Sequence, residues 1–334
     1  MRKVLLTTTA LVALGGASAA SAIDISGTYM FDYTVNDNGT ANTAATNNSS
    51  MSSDARIVFS GDTTTDAGIT YGGMLALDAT GTTEDAGLTM SGDFGMFMAG
   101  ATDGVVDGMD NFMIGSDNVE VGAGTTHSTS STNSNSVGLN GTAAMSDTAT
   151  AEKVGYRSPE ISGFQFGFSH TDAGRTSKAN NNQWMLTYDA GFGKFGYGQT
   201  TIGAAAGTSA DTDQSIAGAG FAFGEFGLSL SKGSDKTHDV NGDVTSSVNT
   251  NEYYVDYSGI ENTYLYVQRV TSKENEGTNA GDKLNGTTIG LSYTIAPGVS
   301  ALLETGSNDY TDATAAGSNG DQADYTRFGL SVNF

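Results

Sequence analysis

The chain ends in the stretch YTRFGLSVNF, residues 325–334, where apolar and polar side chains alternate up to the last residue. In a β-strand this alternation puts one face in contact with an apolar environment, and that face carries Phe328, Leu330, Val332 and Phe334. Terminal residues usually fray, so an aromatic residue at the very end indicates a side chain held within a sheet. The segment predicts a final strand that pairs with another part of the chain.

The first 22 residues have the composition of an export signal. Arg2 and Lys3 precede a short apolar segment, and Ala20-Ser21-Ala22 fits a signal-peptidase site. The apolar segment is too short to cross a bilayer as a helix. We therefore expect residues 1–22 to be cleaved and residues 23–334 to form one domain.

Composition excludes several classes of function. The net charge of −23 argues against a nucleic-acid partner, because such proteins concentrate Lys and Arg. The absence of cysteine excludes disulfides and thiol chemistry. Abundant glycine, 46 residues, with only 2 prolines is unlike disordered low-complexity sequence and suits long strands with small side chains on one face.

Alternation with a period of two continues through the chain and predicts about sixteen strands, each of roughly 9–11 residues, the length that crosses a bilayer at a tilt. Short connections alternate with longer polar ones, which we expect at residues 36–53, 102–151, 203–211, 233–250, 272–283 and 306–322, with two short exceptions near 79–85 and 173–180. Tight turns at one end and long loops at the other are typical of an outer-membrane barrel. A soluble sandwich tends to mix loop lengths at both ends.

The two faces of the predicted strands favour the same fold. The polar face is rich in Gly, Ser, Thr and Asp, and the apolar face ends in Tyr or Phe on many strands. A barrel whose apolar face contacts lipid and whose polar face lines a water-filled interior accounts for the composition of both faces. Closure also removes strand edges, whose unpaired backbone groups are costly in lipid. The sequence therefore predicts an all-β fold, a transmembrane antiparallel β-barrel whose last strand pairs with its first.

Three stretches resemble the Gram-negative general porins, most closely the alphaproteobacterial members. EKVGYRSPEISGFQFGFSH, residues 152–170, is similar to a strand–turn–strand motif of that family. DARIVFSGD, residues 54–62, resembles its second strand, and SGDFGMFMAGATDG, residues 91–104, resembles the strand that leads into its third loop. The resemblance implies a sixteen-stranded homotrimer, a third loop folded into the lumen, and a terminal Phe334 that serves barrel closure and assembly together with Phe328.

The resemblance also implies partners and a location. They are the outer membrane with its lipid and lipopolysaccharide, the outer-membrane assembly machinery, and small hydrophilic solutes and ions that cross by passive diffusion.

Candidate constriction residues lie on the third loop and on the wall. The loop begins with the carboxylates of Asp103, Asp107, Asp110, Asp117 and Glu120. Rings of charge commonly set pore selectivity, and ordinary solvated loop charges are the alternative interpretation. Alternation with outward apolar neighbours assigns four basic residues to the lumen, because a charge facing lipid costs about 2–4 kcal/mol at the midplane. These residues are Arg56, Lys153, Arg157 and Arg327.

Arg56 and Arg157 match wall arginines of the family, whereas for Lys153 and Arg327 a salt bridge at the extracellular end remains the alternative. Ala101 stands where family members often have Arg, and Asp24 and Asp32 stand inward where members can have Lys. Both departures remove positive charge from the pore. The sequence therefore predicts a preference for cations.

The remaining sequence motifs give little indication of an enzyme, a cofactor or a metal site. GFGKFG, residues 191–196, precedes alternating aromatics rather than a helix, so it does not predict a dinucleotide site. No hydrolase motif occurs and the three histidines are far apart, so we expect neither an enzyme nor a cofactor, with weak divalent-cation binding by acidic loops left open. The alternatives from other classes are a secreted acidic, adhesive β-protein of the cell surface, an outer-membrane barrel enzyme, and a substrate-specific channel.

Overall fold

The computed structural model describes residues 23–37, 48–106, 109, 151–172, 180–203, 211–277, 280–311, 313 and 320–334. Within these ranges sixteen antiparallel strands form a closed barrel in which each strand pairs with its neighbours along the chain. The predicted fold class is confirmed. The strands are β1 Asp24–Asp37, β2 Asn48–Thr64, β3 Thr70–Asp78, β4 Thr83–Gly92, β5 Gly95–Ala101, β6 Glu152–Arg157, β7 Phe164–Thr171, β8 Asn181–Asp189, β9 Gly193–Ile202, β10 Asp211–Phe223, β11 Phe226–His238, β12 Val244–Ile260, β13 Thr263–Glu276, β14 Lys283–Ala296, β15 Val299–Thr311 and β16 Gly320–Asn333.

The barrel closes between β1 and β16, as the last ten residues predict. The backbone N–H of Gly27 donates to the carbonyl of Phe334 at 2.9 Å, and the N–H of Phe334 donates to the carbonyl of Gly27 at 3.0 Å. The ring of Phe334 lies over Gly27, where an added Cβ would come within 2.6 Å of a ring atom. Six residues before Phe334, on the outer face of the same β1–β16 pair, Phe328 stands opposite Tyr33. The final aromatic residue is therefore part of the closed sheet.

The barrel end that contains Asp24 and Phe334 is built from tight turns. Only Asp93 and Phe94 connect β4 to β5, and only Glu261 and Asn262 connect β12 to β13. Asn262 has a φ of 58°, in the left-handed region that Asn tolerates better than most side chains. The opposite end carries the longer connections, and the longest joins β5 to β6.

Several predicted loops are strand in the structure. Residues 233–250 were expected to be a loop, yet β11 continues to His238 and β12 begins at Val244, so only 239–243 connect them. The expected loops at 36–53, 272–283 and 306–322 are shortened in the same way, and β12 reaches 17 residues rather than the predicted 9–11. Backbone pairing does not require apolar side chains where water replaces lipid, and Thr and Ser pair well in strands. Polarity in these segments marks the end of the apolar band and not the end of the strand.

The outward face forms an apolar band around the barrel. Aromatic rings on neighbouring strands touch one another, with centroids 4.8 Å apart for Phe97 and Tyr156 and 4.3 Å apart for Phe164 and Tyr188. Among the described residues, no helix is long and apolar enough to cross a membrane. The large exposed side chains of the band include Tyr29, Ile57, Tyr71, Leu88, Phe166, Phe168, Trp184, Leu186, Tyr253, Val255, Val267, Ile289, Tyr293, Leu303 and Phe328.

The first residues after β5 turn into the barrel and bury an apolar cluster there. Val105, Val106 and Met109 pack against inward side chains of β8 and β10, which are Met185 and Ile216. Glycines on the wall permit this approach, because a Cβ at Gly167 would lie 3.1 Å from Val105 and one at Gly198 would lie 3.4 Å from Met109. The described start of the third loop, residues 102–106 and 109, therefore lies inside the barrel against β7 to β10.

Candidate functional site: the pore lining

The lumen is lined by the strand residues whose neighbours in sequence belong to the outer apolar band. This register puts all four basic residues singled out from the sequence, Arg56, Lys153, Arg157 and Arg327, on the inward face. Two of them are bound to carboxylates of the wall, and two are bound to backbone carbonyls of the third loop. The wall therefore contains two different kinds of basic site.

Arg56 on β2 lies between two carboxylates of β4. Its Nε is 2.8 Å from Oε2 of Glu84, and its Nη2 bonds Oδ2 of Asp85. The side chain of Asp85 is 6% exposed, while those of Arg56 and Glu84 remain about two-fifths exposed, at 41% and 42%. A guanidinium shared by two carboxylates leaves a local excess of negative charge at this point of the wall.

Arg327 on β16 forms a two-bond ion pair with Asp32 on β1. Its Nε donates to Oδ1 at 2.9 Å and its Nη2 lies 2.9 Å from Oδ2, in the forked geometry that suits guanidinium and carboxylate. The side chain of Arg327 is buried, at 7% exposure, and that of Asp32 is 15% exposed. Asp32 was expected to face the lumen in place of a basic residue, and the structure pairs its carboxylate with Arg327 across the closure of the barrel.

Four tyrosines line the wall beside this ion pair and were not found by sequence reasoning. Tyr325 donates to Oε1 of Glu304 at 2.7 Å, and Tyr266 donates to Oε2 of the same carboxylate. The hydroxyls of Tyr254 and Tyr264 are 3.1 Å apart. All four tyrosines and Glu304 are buried.

Two glycines make room for these rings. A Cβ at Gly290 would overlap the ring of Tyr266, and one at Gly306 would overlap the ring of Tyr325. The sequence did contain a signal, because the segment NTYLYVQRV, residues 262–270, has large side chains on both faces. The structure resolves that ambiguity by turning Tyr264 and Tyr266 inward and Arg269 outward.

Lys153 and Arg157 hold the entry segment of the third loop. Lys153 is buried, and its Nζ donates to the carbonyl of Thr102. Arg157 donates to the carbonyl of Val105 at 3.4 Å. The N–H of Val105 in turn donates to Oγ of Ser169 at 3.2 Å. These contacts fix the point at which the loop leaves the wall.

Among the predicted loop carboxylates, only Asp103 belongs to the described residues. It is partly exposed and follows Thr102, whose carbonyl binds Lys153. The remaining four, Asp107, Asp110, Asp117 and Glu120, lie outside the described residues.

Acidic side chains concentrate on the inward face of the described strands. Two of them are oriented by neutral amides, since Gln214 donates to Asp235 at 2.8 Å and Gln268 donates to Glu252. An amide positions a carboxylate without cancelling its charge. The inward carboxylates outside the two arginine sites include Asp24, Asp54, Asp62, Asp78, Asp235, Glu252, Asp256, Glu274 and Glu304.

Comparison with known proteins agrees with this architecture. The chain resembles the solved anion-selective porin from Comamonas acidovorans with a TM-score of 0.71 and 15% identity, over 94% of this chain and 100% of that one. It resembles the trimer form of OmpT, an outer membrane protein of Vibrio cholerae, with a TM-score of 0.70 and 14% identity over 94% and 100% of the two chains. A mutant porin of Rh. blastica gives a TM-score of 0.61 and 16% identity over 93% and 100%. At these identities the likeness shows the fold.

Family assignment rests on the sequence model described as Gram-negative porin, which matches residues 7–334. Among curated proteins, no sequence matches the chain. Because the family model spans nearly the whole sequence, and because the barrel agrees with it, this chain belongs to the Gram-negative porin family and forms a channel of the outer membrane.

Proposed function

We propose that the channel admits small hydrophilic solutes and ions by passive diffusion and that it prefers cations. The observation that carries the proposal is the sorting of charge on the inward face. Arg56 and Arg327 are bound to wall carboxylates, while Asp235 and Glu252 are oriented by neutral amides. A lumen lined by one sign of charge raises the local concentration of the opposite ion.

The test is a planar-bilayer recording of refolded residues 23–334 under a KCl gradient. We expect stepwise conductance with a reversal potential that favours K⁺. The double variant Asp235→Asn/Glu252→Gln should move the reversal potential toward zero. The matched control is Asp324→Asn, because Asp324 is exposed on the outer face of β16 and should leave selectivity unchanged. A reversal potential that favours Cl⁻ in the unaltered channel would overturn the cation preference.

The anion-selective structure from Comamonas acidovorans does not decide the selectivity of this chain, since 15% identity leaves the lumen residues free to differ. Family and fold indicate a channel rather than an enzyme. Membership of the Gram-negative porin family argues against the alternative of a secreted surface protein. We further propose that residues 1–22 are removed as a signal peptide.

We also propose a homotrimer, and the trimer form of Vibrio cholerae OmpT supports this assembly by analogy. Mass measurement of the detergent-solubilised native protein tests it, and a monomer that stays functional in bilayers would contradict it.

The proposed channel needs no cofactor, and weak divalent-cation binding by its acidic loops remains part of the proposal. No group of three or more candidate metal-ligating side chains occurs in the ranges that the structure describes. Calcium titration of the refolded barrel, followed by thermal unfolding, tests this point. A rise in unfolding temperature at millimolar but not micromolar calcium is expected.

A further inference from the structure

We propose that a recess in the lumen wall of β1 to β4 is a weak binding site for solutes that carry an ammonium group and several hydroxyl groups, such as amino sugars. The recess has a volume of about 720 Å³, which is in the range of small-molecule sites. This inference rests on the proposed diffusion of small solutes and names one class of them. The lining residues that carry the argument are Asp24, Ser60, Asp62, Gly72, Met74 and Thr89.

Strand register forms the recess at a glycine. Asp62 on β2 stands opposite Gly72 on β3, and Gly72 stands opposite Thr89 on β4. All three face inward, because Tyr71 and Leu88 on the same two strands belong to the outer apolar band. Oγ1 of Thr89 leans over the glycine, where an added Cβ would lie 2.6 Å from it. A hollow therefore separates the carboxylate of β2 from the hydroxyl of β4.

Two exposed carboxylates flank this hollow. Asp24 on β1 stands opposite Ser60, the inward residue that precedes Asp62 on β2. This diagonal relation puts the two aspartates about 7–8 Å apart. In the part of the chain that the structure describes, neither carboxylate forms an ion pair or a side-chain hydrogen bond. Arg56, on the same face of β2, is already shared by two carboxylates of β4, so the recess can accept an ammonium group.

Hydroxyl groups and a small apolar surface complete the recess. Ser60 stands opposite Met74, which puts a thioether beside the hollow. Thr64 and Thr70 close the side nearest the β2–β3 turn, with their hydroxyl oxygens 2.8 Å apart. Serine and threonine hydroxyls both donate and accept hydrogen bonds, as the hydroxyls of a sugar do. The C–H face of a sugar ring can lie on Met74 and on the backbone of Gly72.

This combination of groups argues against two simpler ligands. Calcium and magnesium sites take six or more oxygen ligands, and no group of three or more candidate metal-ligating side chains occurs in the described ranges. A neutral sugar would use the hydroxyls and leave both carboxylates unmatched. An ammonium group and hydroxyl groups on one ring match both sets.

The recess lies at the tight-turn end of the lumen, because Thr64 and Thr70 border the β2–β3 turn. In barrels of this type the short turns face the periplasm. Conduction needs binding that is favourable enough for entry and weak enough for release. A weak site at the exit would therefore raise the local concentration of its solute without blocking the channel.

The experiment measures affinity by saturation-transfer NMR titrations of the refolded full barrel in detergent, at slightly acidic pH. The probes are glucosamine, glucose, which lacks the ammonium group, and ethylammonium, which lacks the hydroxyls. We expect glucosamine to bind more tightly than either. Asp62→Asn should weaken glucosamine binding about three- to fivefold and leave glucose binding unchanged. Asp54→Asn is the matched control, because Asp54 is an inward carboxylate of the same strand outside the recess.

A second variant, Gly72→Leu, fills the hollow and should abolish glucosamine binding. Compact mobility on gels verifies folding, and the nearly isosteric Asp62→Asn carries the test if the leucine variant does not fold. Glucosamine binding no tighter than that of either other probe overturns the proposal, as does unchanged affinity in Asp62→Asn or in the folded leucine variant. Equal losses from Asp62→Asn and Asp54→Asn also overturn it, because general lumen charge would then be the cause. The titration does not depend on conductance, so its failure is distinguishable from failure of the proposed cation-preferring channel.

Discussion

Tyr325 and Tyr266 donate their hydroxyl hydrogens to the two oxygens of one buried carboxylate, that of Glu304. The three residues lie on β16, β13 and β15, so a single side chain ties strands that are not all adjacent in the sheet. Thr288 on β14 completes the group, with its hydroxyl 3.0 Å from that of Tyr325. Hydrogen bonds between side chains therefore reinforce the backbone ladder at this part of the wall.

Replacing Glu304 by Ala should lower the stability of the barrel markedly. The buried hydroxyl of Tyr266 would lose the acceptor described here, which costs about 1–3 kcal/mol, while the hydroxyl of Tyr325 would keep Thr288 as a partner. Thermal unfolding, followed by the loss of compact mobility on gels, measures the effect. The matched control is Glu261→Ala, since Glu261 lies exposed in the β12–β13 turn and should change little. Equal unfolding temperatures for the two variants would contradict the role given to Glu304.

The ion pair between Arg327 and Asp32 predicts strong coupling between two substitutions. Arg327→Ala leaves a buried carboxylate without its partner, and breaking a buried pair in this way costs about 3–5 kcal/mol. The double variant Arg327→Ala/Asp32→Ala should therefore be more stable than Arg327→Ala alone. A double-mutant cycle measured by thermal unfolding checks this, and purely additive losses would show that the pair is not coupled.

Closure at Gly27 predicts that even a methyl group is too large there. Gly27→Ala places a Cβ within 2.6 Å of the Phe334 ring, so the ring must move, and overpacking typically costs about 1–3 kcal/mol. We expect a lower yield of folded barrel in refolding assays. Gly203→Ala is the control, because the nearest atom to its added Cβ is 3.6 Å away. Adding Phe334→Ala to Gly27→Ala should restore part of the yield, and a further drop would argue against the ring as the obstacle.

The turn at residues 239–243 predicts a local response to pH. The pKa of Asp239 is lowered from its ordinary value of 3.8, chiefly because the backbone N–H of Asp243 donates to its carboxylate, with the N–H of Asn241 next. A lowered pKa in the folded state means that the turn is stabilised above the ordinary pKa and loses that support as pH falls through the lowered value. The amide resonance of Asp243 should therefore titrate with a midpoint below 3.8. Asp239→Asn should keep the turn and abolish the titration, whereas a midpoint at or above the ordinary value would refute the capping role.

Alternation along the chain predicted the barrel because each strand has one face in an apolar environment. Phe328 and Leu330, with Gly329 between them, defined the last strand without ambiguity. Strand ends could not be predicted, since β11 and β12 continue past the apolar band with polar side chains on both faces. Composition alone does not distinguish such a strand from a loop.

The wall of the lumen was only partly predictable for a related reason. Because the adjacent Ile57 faces outward, alternation along β2 predicted that Arg56 faces inward. The carboxylates that bind Arg56, however, come from β4, two strands away. The tyrosine cluster depends on Gly290 and Gly306, which lie on strands other than those of the rings they admit. Contacts of this kind are set by register between strands, which a single sequence does not specify.

The closure at Gly27 and Phe334 has a kinetic consequence. Arg327 and Asp32, which face each other across it, are 295 positions apart in the chain. Contacts between such distant residues are reached slowly, because most of the loop entropy is lost before they form. Until β16 is in place, β1 therefore has one edge without a partner strand. For that interval the nascent barrel depends on whatever shields β1 from pairing with the wrong strand.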